Sequence, residues 1–224
     1  MSPPELWSVD EDVDPEKSAK NRIRGKNLRK LKRGVYDAFD GTGSQVSFVN
    51  ELLEKHRGKP LSEEDVLLDS TGYRLVFRNI TNSANERTMV LSVIPKGIVC
   101  HHAINTIRPY RISPDTEDLE QFPLHDVYER IFSDEELFVA LGLLNSIPFD
   151  YLMRSKISEN LVMYKFKGSQ VPRLTEGDDW FEYIWTRSAR LNCYGDEFKE
   201  MRERLDGIEP ATEEGERREI QAEI

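Results

Sequence analysis

Tyr73-Arg-Leu-Val-Phe-Arg-Asn79 is the stretch of sequence that decides the fold of this chain. It alternates apolar with basic side chains, which is typical of a β-strand with one buried face. A turn-like Thr-Asn-Ser-Ala-Asn sequence follows, and residues 87–94 and 98–110 are again rich in β-branched and apolar residues. Three or four consecutive strands in about 40 residues predict an antiparallel or mixed sheet.

Helical patterns lie on both sides of this predicted sheet. Residues 44–56 have apolar side chains at helical spacing, with Ser44 placed to cap the helix and Gly58 to end it. Ser133-Asp-Glu-Glu136 is a capping box that opens an apolar helix. Pro148 permits a second helical start soon afterwards. Helices therefore precede and follow the strands.

The last third of the chain contains one further predicted strand before it turns helical. Residues 161–167 alternate like a strand that ends at Gly168, and from Thr175 onward the spacing of apolar residues is helical. The sequence therefore predicts an α+β fold, in which an antiparallel or mixed β-sheet with packed helices is followed by a C-terminal helical segment.

The predicted domain organisation follows these changes of pattern. The final helical pattern, from Glu213 to Ile224, ends without a stop signal, so we expect the chain to continue in a longer protein. We expect four parts: a mobile lead-in at 1–15, a basic helical linker or insertion at 16–70, a principal domain at 71–174, and a truncated C-terminal helical region at 175–224.

Composition and charge exclude several classes of protein. Hydrophobic residues make up 38 % and charged residues 32 % of the 224 residues, a balance typical of globular proteins. No secretory signal or membrane-spanning stretch is visible in the sequence. Cys100 and Cys193 lack metal-like spacing, so we expect two reduced, buried thiols and a cytoplasmic protein. The net charge of −10 argues against a uniformly basic surface but does not exclude nucleic-acid binding.

The chemistry of a complete enzyme is missing from the sequence. Gly41-Thr-Gly43 has no strand before it and no third glycine, so it is interpreted as a turn and not a cofactor loop. No Asn-Pro-Pro-aromatic segment is present. Glu197-Phe-Lys199 resembles the shortest nuclease pattern but lies in a charged helical segment, where such spacing is commonplace. We therefore expect no catalytic residue, no metal and no cofactor in this chain.

Basic and amide side chains in and after the predicted sheet are the candidate binding residues. His101 and His102 are adjacent, so in a strand their side chains point to opposite faces and cannot bind one metal together. An edge rich in hydrogen-bond donors can instead contact base edges or phosphates. Each group has a second interpretation: strand-end polarity, a role in holding the backbone together, or a solvated face. The edge comprises His101, His102, Asn105, Arg108 and Arg111; the strand arginines are Arg74, Arg78 and Arg87; a second basic patch comprises Lys165, Lys167 and Arg173.

The most basic stretch of the chain is Glu16–Arg33, which holds nine lysines or arginines and one acid. Such a run is either a solvated helix face or a contact surface for nucleic acid. The sequence leaves both interpretations open.

Several segments resemble the target-recognition region of type IIG-like restriction-modification adenine-N6 DNA methyltransferases. The segments that carry the resemblance, in the order and spacing of that family, are 73–80 with 85–90 and 94–97, Leu-Leu-Asn-Ser-Ile-Pro-Phe-Asp-Tyr-Leu-Met-Arg at 143–154, Val-Pro-Arg-Leu-Thr at 171–175, and 188–193 with 196–198. The resemblance covers roughly residues 70–224, and the first 70 residues have no match. Gly168-Ser-Gln-Val-Pro departs from the family's usual proline-valine-proline approach.

The resemblance implies that this chain recognises double-stranded DNA for a parent protein. The parent would transfer a methyl group from S-adenosylmethionine to adenine N6, and this region would lie beside its methyltransferase domain. The resemblance leaves open whether the parent also has endonuclease activity. The family motifs are mainly structural, so the resemblance transfers no binding residue. The alternative is a protein-interaction module of a multi-subunit assembly without DNA contact, and a third interpretation is an independent nuclease.

Overall fold

The computed structural model describes residues 15–101, 103–157 and 160–224, with side chains described from Arg24 onward. Contacts divide the chain into two units. Unit 1 comprises the described residues up to Leu68 together with Arg111–Glu129, and unit 2 comprises Asp69–Tyr110 together with Arg130–Ile224. The segment 111–129 is therefore an excursion of the chain out of unit 2.

The described residues form helices and strands in an α+β arrangement, so the predicted fold class is confirmed. The helices are α1 (Pro15–Ala38), α2 (Gln45–Arg57), α3 (Asp134–Asn145), α4 (Ile147–Lys156), α5 (Met163–Lys167), α6 (Phe181–Asn192), α7 (Lys199–Arg204) and α8 (Glu214–Glu223). The strands are β1 (Arg74–Arg78), β2 (Leu91–Ile94), β3 (Ile104–Thr106), β4 (Tyr110–Ile112) and β5 (Tyr128–Arg130).

Unit 1 is built on the pairing of α1 with α2. Leu31 and Val35 of α1 and Val49 and Leu53 of α2 are fully buried, and Gly58 ends α2 in the left-handed conformation with φ 67°, as expected. The stretch Arg111–Pro123 reads as a polar loop, yet it belongs to this core. Its apolar residues follow neither a helical nor a strand period, so the sequence pattern does not identify them as core residues. The core side chains are Leu31, Val35, Val49, Leu53, Val66, Leu119, Leu124 and Val127.

The sheet of unit 2 is antiparallel, with the strand order β2-β1-β3. The predicted first strand is confirmed, and it is the central one: Phe77 pairs with Leu91 on one side and with Asn105 on the other. The third strand is much shorter than the β-rich stretch 98–110 suggests, because pairing with β1 holds only 104–106 in register. β4 and β5 form a separate two-stranded sheet.

The prediction of a strand over 161–167 is wrong, because Met163–Lys167 forms the short helix α5. The segment before α5 joins the sheet through an isolated bridge between Ile80 and Asn160, and the Leu161 N–H donates a hydrogen bond to the Asn79 carbonyl oxygen at 2.8 Å. Met163 and Phe166 then pack on the core, and their spacing of three residues is helical. A stretch this short fits both the two-residue period of a strand and the period of a helix. Packing against the core selects the helix.

Helices α3 and α6 pack on the sheet and on each other. The capping box predicted at the start of α3 is confirmed: Ser133 Oγ accepts a hydrogen bond from the Glu136 backbone N–H, and Glu136 accepts one from the Ser133 N–H. Because α3 packs closely against α6, the C-terminal helices share one core with the sheet. The unit boundary at Leu68 lies close to the expected boundary at residue 70, whereas the division at residue 174 does not separate two units.

Gly142 sets how closely α3 and α6 approach. A Cβ atom at Gly142 would lie 2.5 Å from Ser188 Oγ and 2.7 Å from Ile184 Cγ2, inside van der Waals contact. We expect Gly142→Ala to destabilise the protein by about 1–3 kcal/mol, because the crossing is overpacked. In urea denaturation, Gly215→Ala in α8 is the matched control, since nothing lies within 4 Å of that position. A Gly142→Ala midpoint equal to or above wild type would contradict the close approach.

The two thiols differ in environment. Cys193 is buried, as expected, and burial raises the pKa of its thiol to about 12, so the thiol stays protonated at neutral pH. Cys100 is only half-buried, and no disulfide joins the two. No single helix among the described residues has the length and apolarity to cross a membrane; α3 and α4 pass that test only together, with a 62° bend between them.

Candidate nucleic-acid interface

Arg74 holds backbone together inside unit 2. The residue is 2 % exposed, and its guanidinium donates hydrogen bonds to the carbonyl oxygens of Gly72 (3.3 Å) and Ile98. A buried arginine whose guanidinium bonds to backbone carbonyl groups is not accessible to a phosphate group. The structure therefore favours the structural interpretation that the sequence left open for this residue.

Arg78 and Arg87 hold the connection between β1 and β2. Arg78 Nη2 donates to Thr81 Oγ1 (3.1 Å) and to the Arg87 carbonyl oxygen (2.5 Å). Arg87 donates to the Asn145 carbonyl oxygen and lies 3.7 Å from the carboxylate of Asp150. Both side chains are half-buried and engaged, so they also fit the structural interpretation.

Asn105 and the histidines lie on or near the short edge strand β3. Asn105 Nδ2 donates to the Leu161 carbonyl oxygen at 3.0 Å, which ties β3 to the chain that leads into α5. His101 is exposed, and its Nδ1 accepts a hydrogen bond from the Ala103 N–H at 3.4 Å. His102 lies outside the described residues.

The end of the sheet, helix α3 and the chain after α5 enclose a cavity of about 350 Å³. Ile107, Phe132 and Phe166 contribute to its apolar wall, and Lys167 and Arg173 contribute the basic side chains. Arg173 pairs with Glu136 at 3.3 Å. Two members of the predicted second basic patch, Lys167 and Arg173, therefore border this cavity, and Ile107, the residue before Arg108, borders it from the end of the sheet.

Three of the predicted basic residues keep their charge unpaired within the described part of the chain. The side chains of Arg108, Lys165 and Lys167 make no hydrogen bond or ion pair there, and Lys167 is exposed. Most arginines of unit 2 are instead paired with acids or bonded to carbonyl groups. Unpaired cations in a chain of net charge −10 are the groups available to an external anion.

An exposed tyrosine precedes two of these cations in the sequence and was missed in the sequence analysis. Tyr164 is 72 % exposed at the start of α5, next to Lys165 in the sequence Tyr-Lys-Phe-Lys. The sequence signal for Tyr164 was the alternation of aromatic and basic residues. In surfaces of this kind the aromatic rings stack on bases and the cations contact phosphates. The predicted strand hid it, because a strand would have placed Tyr164 and Phe166 on one buried face.

Arg111 belongs to unit 1, so the structure does not group it with the candidates of unit 2. Its guanidinium forms a bidentate pair with Glu129, at 2.6 and 3.0 Å. Hydrogen bonding to this partner raises the pKa of Arg111 and lowers the pKa of Glu129, and both side chains are exposed. The pairing partly neutralises the charge that would attract a phosphate.

The other chemistries considered in the sequence find little support in the described residues. Gly41 packs against the ring of Tyr36, whose hydroxyl donates to the Gly43 carbonyl oxygen at 3.2 Å, so this glycine pair forms the turn after α1. These residues do not fit a methyl-donor site. Within the described ranges, no three histidine, cysteine or acidic side chains lie close enough to hold a metal ion.

Comparison of the chain with protein-family models, with characterised proteins and with solved structures finds no match.

Proposed function

We propose that this chain recognises double-stranded DNA in a sequence-specific manner for a restriction-modification adenine-N6 methyltransferase. It would place the target duplex for methylation, or also cleavage, by domains outside this chain. The observation that carries the proposal is the set of unpaired cations Arg108, Lys165 and Lys167, beside exposed Tyr164, on segments that border one cavity of an otherwise acidic chain. The resemblance to target-recognition regions supplies the methyltransferase context.

The chemistry divides between this chain and its parent. Cations on unit 2 position the duplex through its phosphates, and amide or guanidinium groups read base edges in a groove. S-adenosylmethionine and the methyl-transfer step belong to the methyltransferase domain of the parent, which acts on a flipped adenine. The chain itself is not an enzyme under this proposal. Its free cysteines are in keeping with a cytoplasmic location.

The proposal is tested by comparing two exposed lysines of unit 2. In fluorescence anisotropy with a labelled duplex, we expect salt-sensitive binding by the wild-type chain. Lys167→Gln should lower the slope of log Kd against log salt by about 0.9, because one phosphate contact is lost. Lys199→Gln is the control, since Lys199 is also exposed and has no partner among the described residues, but lies on α7 and does not line the cavity.

Two outcomes would contradict DNA recognition. The first is the absence of binding to any duplex at low salt. The second is an equal effect of Lys167→Gln and Lys199→Gln, which would indicate non-specific attraction without a defined interface. Selection from randomised duplexes then determines whether one sequence is preferred, as a recognition domain requires.

A protein-interaction module is the second candidate, and the outward face of α4 favours it. Ile147 and Tyr151, one helical turn apart, are each 76 % exposed and share one face of the helix. An exposed apolar face of this kind marks a docking surface for another protein. If Tyr151→Ser abolishes association with the parent's methyltransferase domain, and the wild-type chain binds no duplex, the second candidate replaces the first.

A further inference from the structure

Helix α1 presents two different faces in unit 1. Leu31 and Val35 are 0 % exposed and pack in the core with α2, so they fix the helix by its apolar side. Lys26, Arg29 and Arg33 are exposed. Their spacing of three and four residues places them on one side of the helix, opposite the buried side. We call these three residues the basic face of α1.

The charge of this face is largely unneutralised within the described residues. Lys26 and Arg29 make no hydrogen bond or ion pair there. Arg33 pairs with Asp37 at 3.4 Å, but both side chains are mostly exposed, and such surface pairs contribute little. The chain has 41 acidic residues against 31 basic ones, so acidic partners are abundant elsewhere. A concentrated positive face with a single, exposed ion pair among the described residues is unusual in this composition.

The packing of α1 argues against a membrane as the partner of this face. An interfacial helix inserts an apolar face into lipid and keeps its basic face near the headgroups. The apolar side chains of α1 are instead consumed by the core of unit 1. The exposed side of α1 is a row of cations. These cations can contact a polyanion, but they cannot insert into a lipid bilayer.

We propose that the basic face of α1 lies along the sugar-phosphate backbone of duplex DNA. This inference rests on the proposed function and adds a contact surface in unit 1 that is separate from the cations of unit 2. The face spans about 10.5 Å, at 1.5 Å per residue. About six phosphate charges lie along that length of duplex. An acidic chain with one concentrated basic face also presents that face first to an approaching polyanion.

The test removes the three charges while keeping the helix. Glutamine has a helix propensity close to that of lysine and arginine, so Lys26→Gln, Arg29→Gln and Arg33→Gln together should leave the circular dichroism spectrum unchanged. We expect the slope of log Kd against log salt to fall by about 2.7 for a labelled duplex. The affinity loss between 50 and 200 mM salt should then be roughly 40-fold smaller. Duplexes of different sequence should be weakened equally, because phosphates carry no sequence information.

Matched controls separate this inference from the proposed function. Lys26→Gln alone should lower the slope by about 0.9, whereas Lys55→Gln on α2, also exposed and unpaired, should not change it. If the triple variant keeps the wild-type slope while Lys167→Gln lowers it, the inference is overturned and the proposed function stands. If the wild-type chain binds no duplex at low salt, both fall. Binding of the wild type to vesicles of equal parts phosphatidylserine and phosphatidylcholine, but not to duplex, also overturns it.

Discussion

Replacing Asp65 with alanine is expected to destabilise unit 1 by roughly 3–5 kcal/mol, the typical cost of breaking a buried ion pair from one side. Asp65 is 0 % exposed and forms a bidentate pair with Arg57, at 2.6 and 2.8 Å. The carboxylate also accepts hydrogen bonds from the backbone N–H groups of Ser62 and Leu124. Removing it strands a buried guanidinium and two buried N–H groups at once.

Urea denaturation followed by circular dichroism measures this loss. The matched control is Glu129→Ala, which removes one partner of the exposed Arg111 pair in the same unit. It should leave the midpoint close to that of wild type, because water already solvates both charges. Equal shifts for the two variants would contradict a structural role for the buried pair.

The same carboxylate makes stability depend on pH in the acid range. Burial alone raises the pKa of Asp65, but the hydrogen bonds from Arg57, Ser62 and Leu124 outweigh it and hold the pKa below its ordinary 3.8. The stabilisation is therefore fully present above pH 3.8 and is lost as pH falls through the lowered pKa. Asp65→Asn should remove this part of the acid dependence. An acid profile identical to wild type would contradict the assignment.

Replacing Asp150 with alanine is the second large effect that we expect, at about 1.5–3 kcal/mol. Asp150 is 5 % exposed on α4 and accepts a hydrogen bond from the Met89 N–H at 2.6 Å. It also accepts one from Arg154 (3.1 Å) and lies 3.7 Å from Arg87. The variant leaves a buried N–H without a partner and releases two arginines that hold the connection between β1 and β2.

A variant of Arg87 itself, Arg87→Gln, decides between the two interpretations of this residue. If Arg87 holds the backbone, Arg87→Gln should lower stability and leave the salt dependence of duplex binding unchanged. If it contacts phosphate, the slope should fall by about 0.9 and the urea midpoint should be nearly that of wild type. Lys199→Gln serves as the control in both measurements. Stability of Asp150→Ala equal to wild type would contradict the contacts described for Asp150.

Local signals predicted much of the fold. The capping box at Ser133, the stop at Gly58 and the strand at 74–78 need only neighbouring residues, so the sequence alone identifies them. The helix α5 was not predictable in the same way, because a five-residue stretch fits two periods. The place of Leu119 and Leu124 in the core of unit 1 was also hidden, since their partners lie on α1 and α2, more than 60 residues away.

The candidate site was predictable only as a set of residue types. From the sequence alone, the arginines of the first strands and those after the sheet are equally good candidates for contacting DNA. Contacts separate them: Arg74 is buried against carbonyl oxygens, whereas Arg108 and Lys167 keep an unpaired charge within the described residues. Tyr164 emerged only when its segment proved helical and exposed.

The sequence itself thus determines the strand Arg74–Arg78, the capped start of α3, the end of α2 at Gly58 and the run of basic residues in α1. Which charges remain available was decided by the tertiary structure alone. Pairing and burial depend on groups that are far apart in the chain, such as Asp65 with Leu124, or Asn105 with Leu161. A cation without such a partner remains available to an external anion. No local sequence pattern identifies which cations remain unpaired.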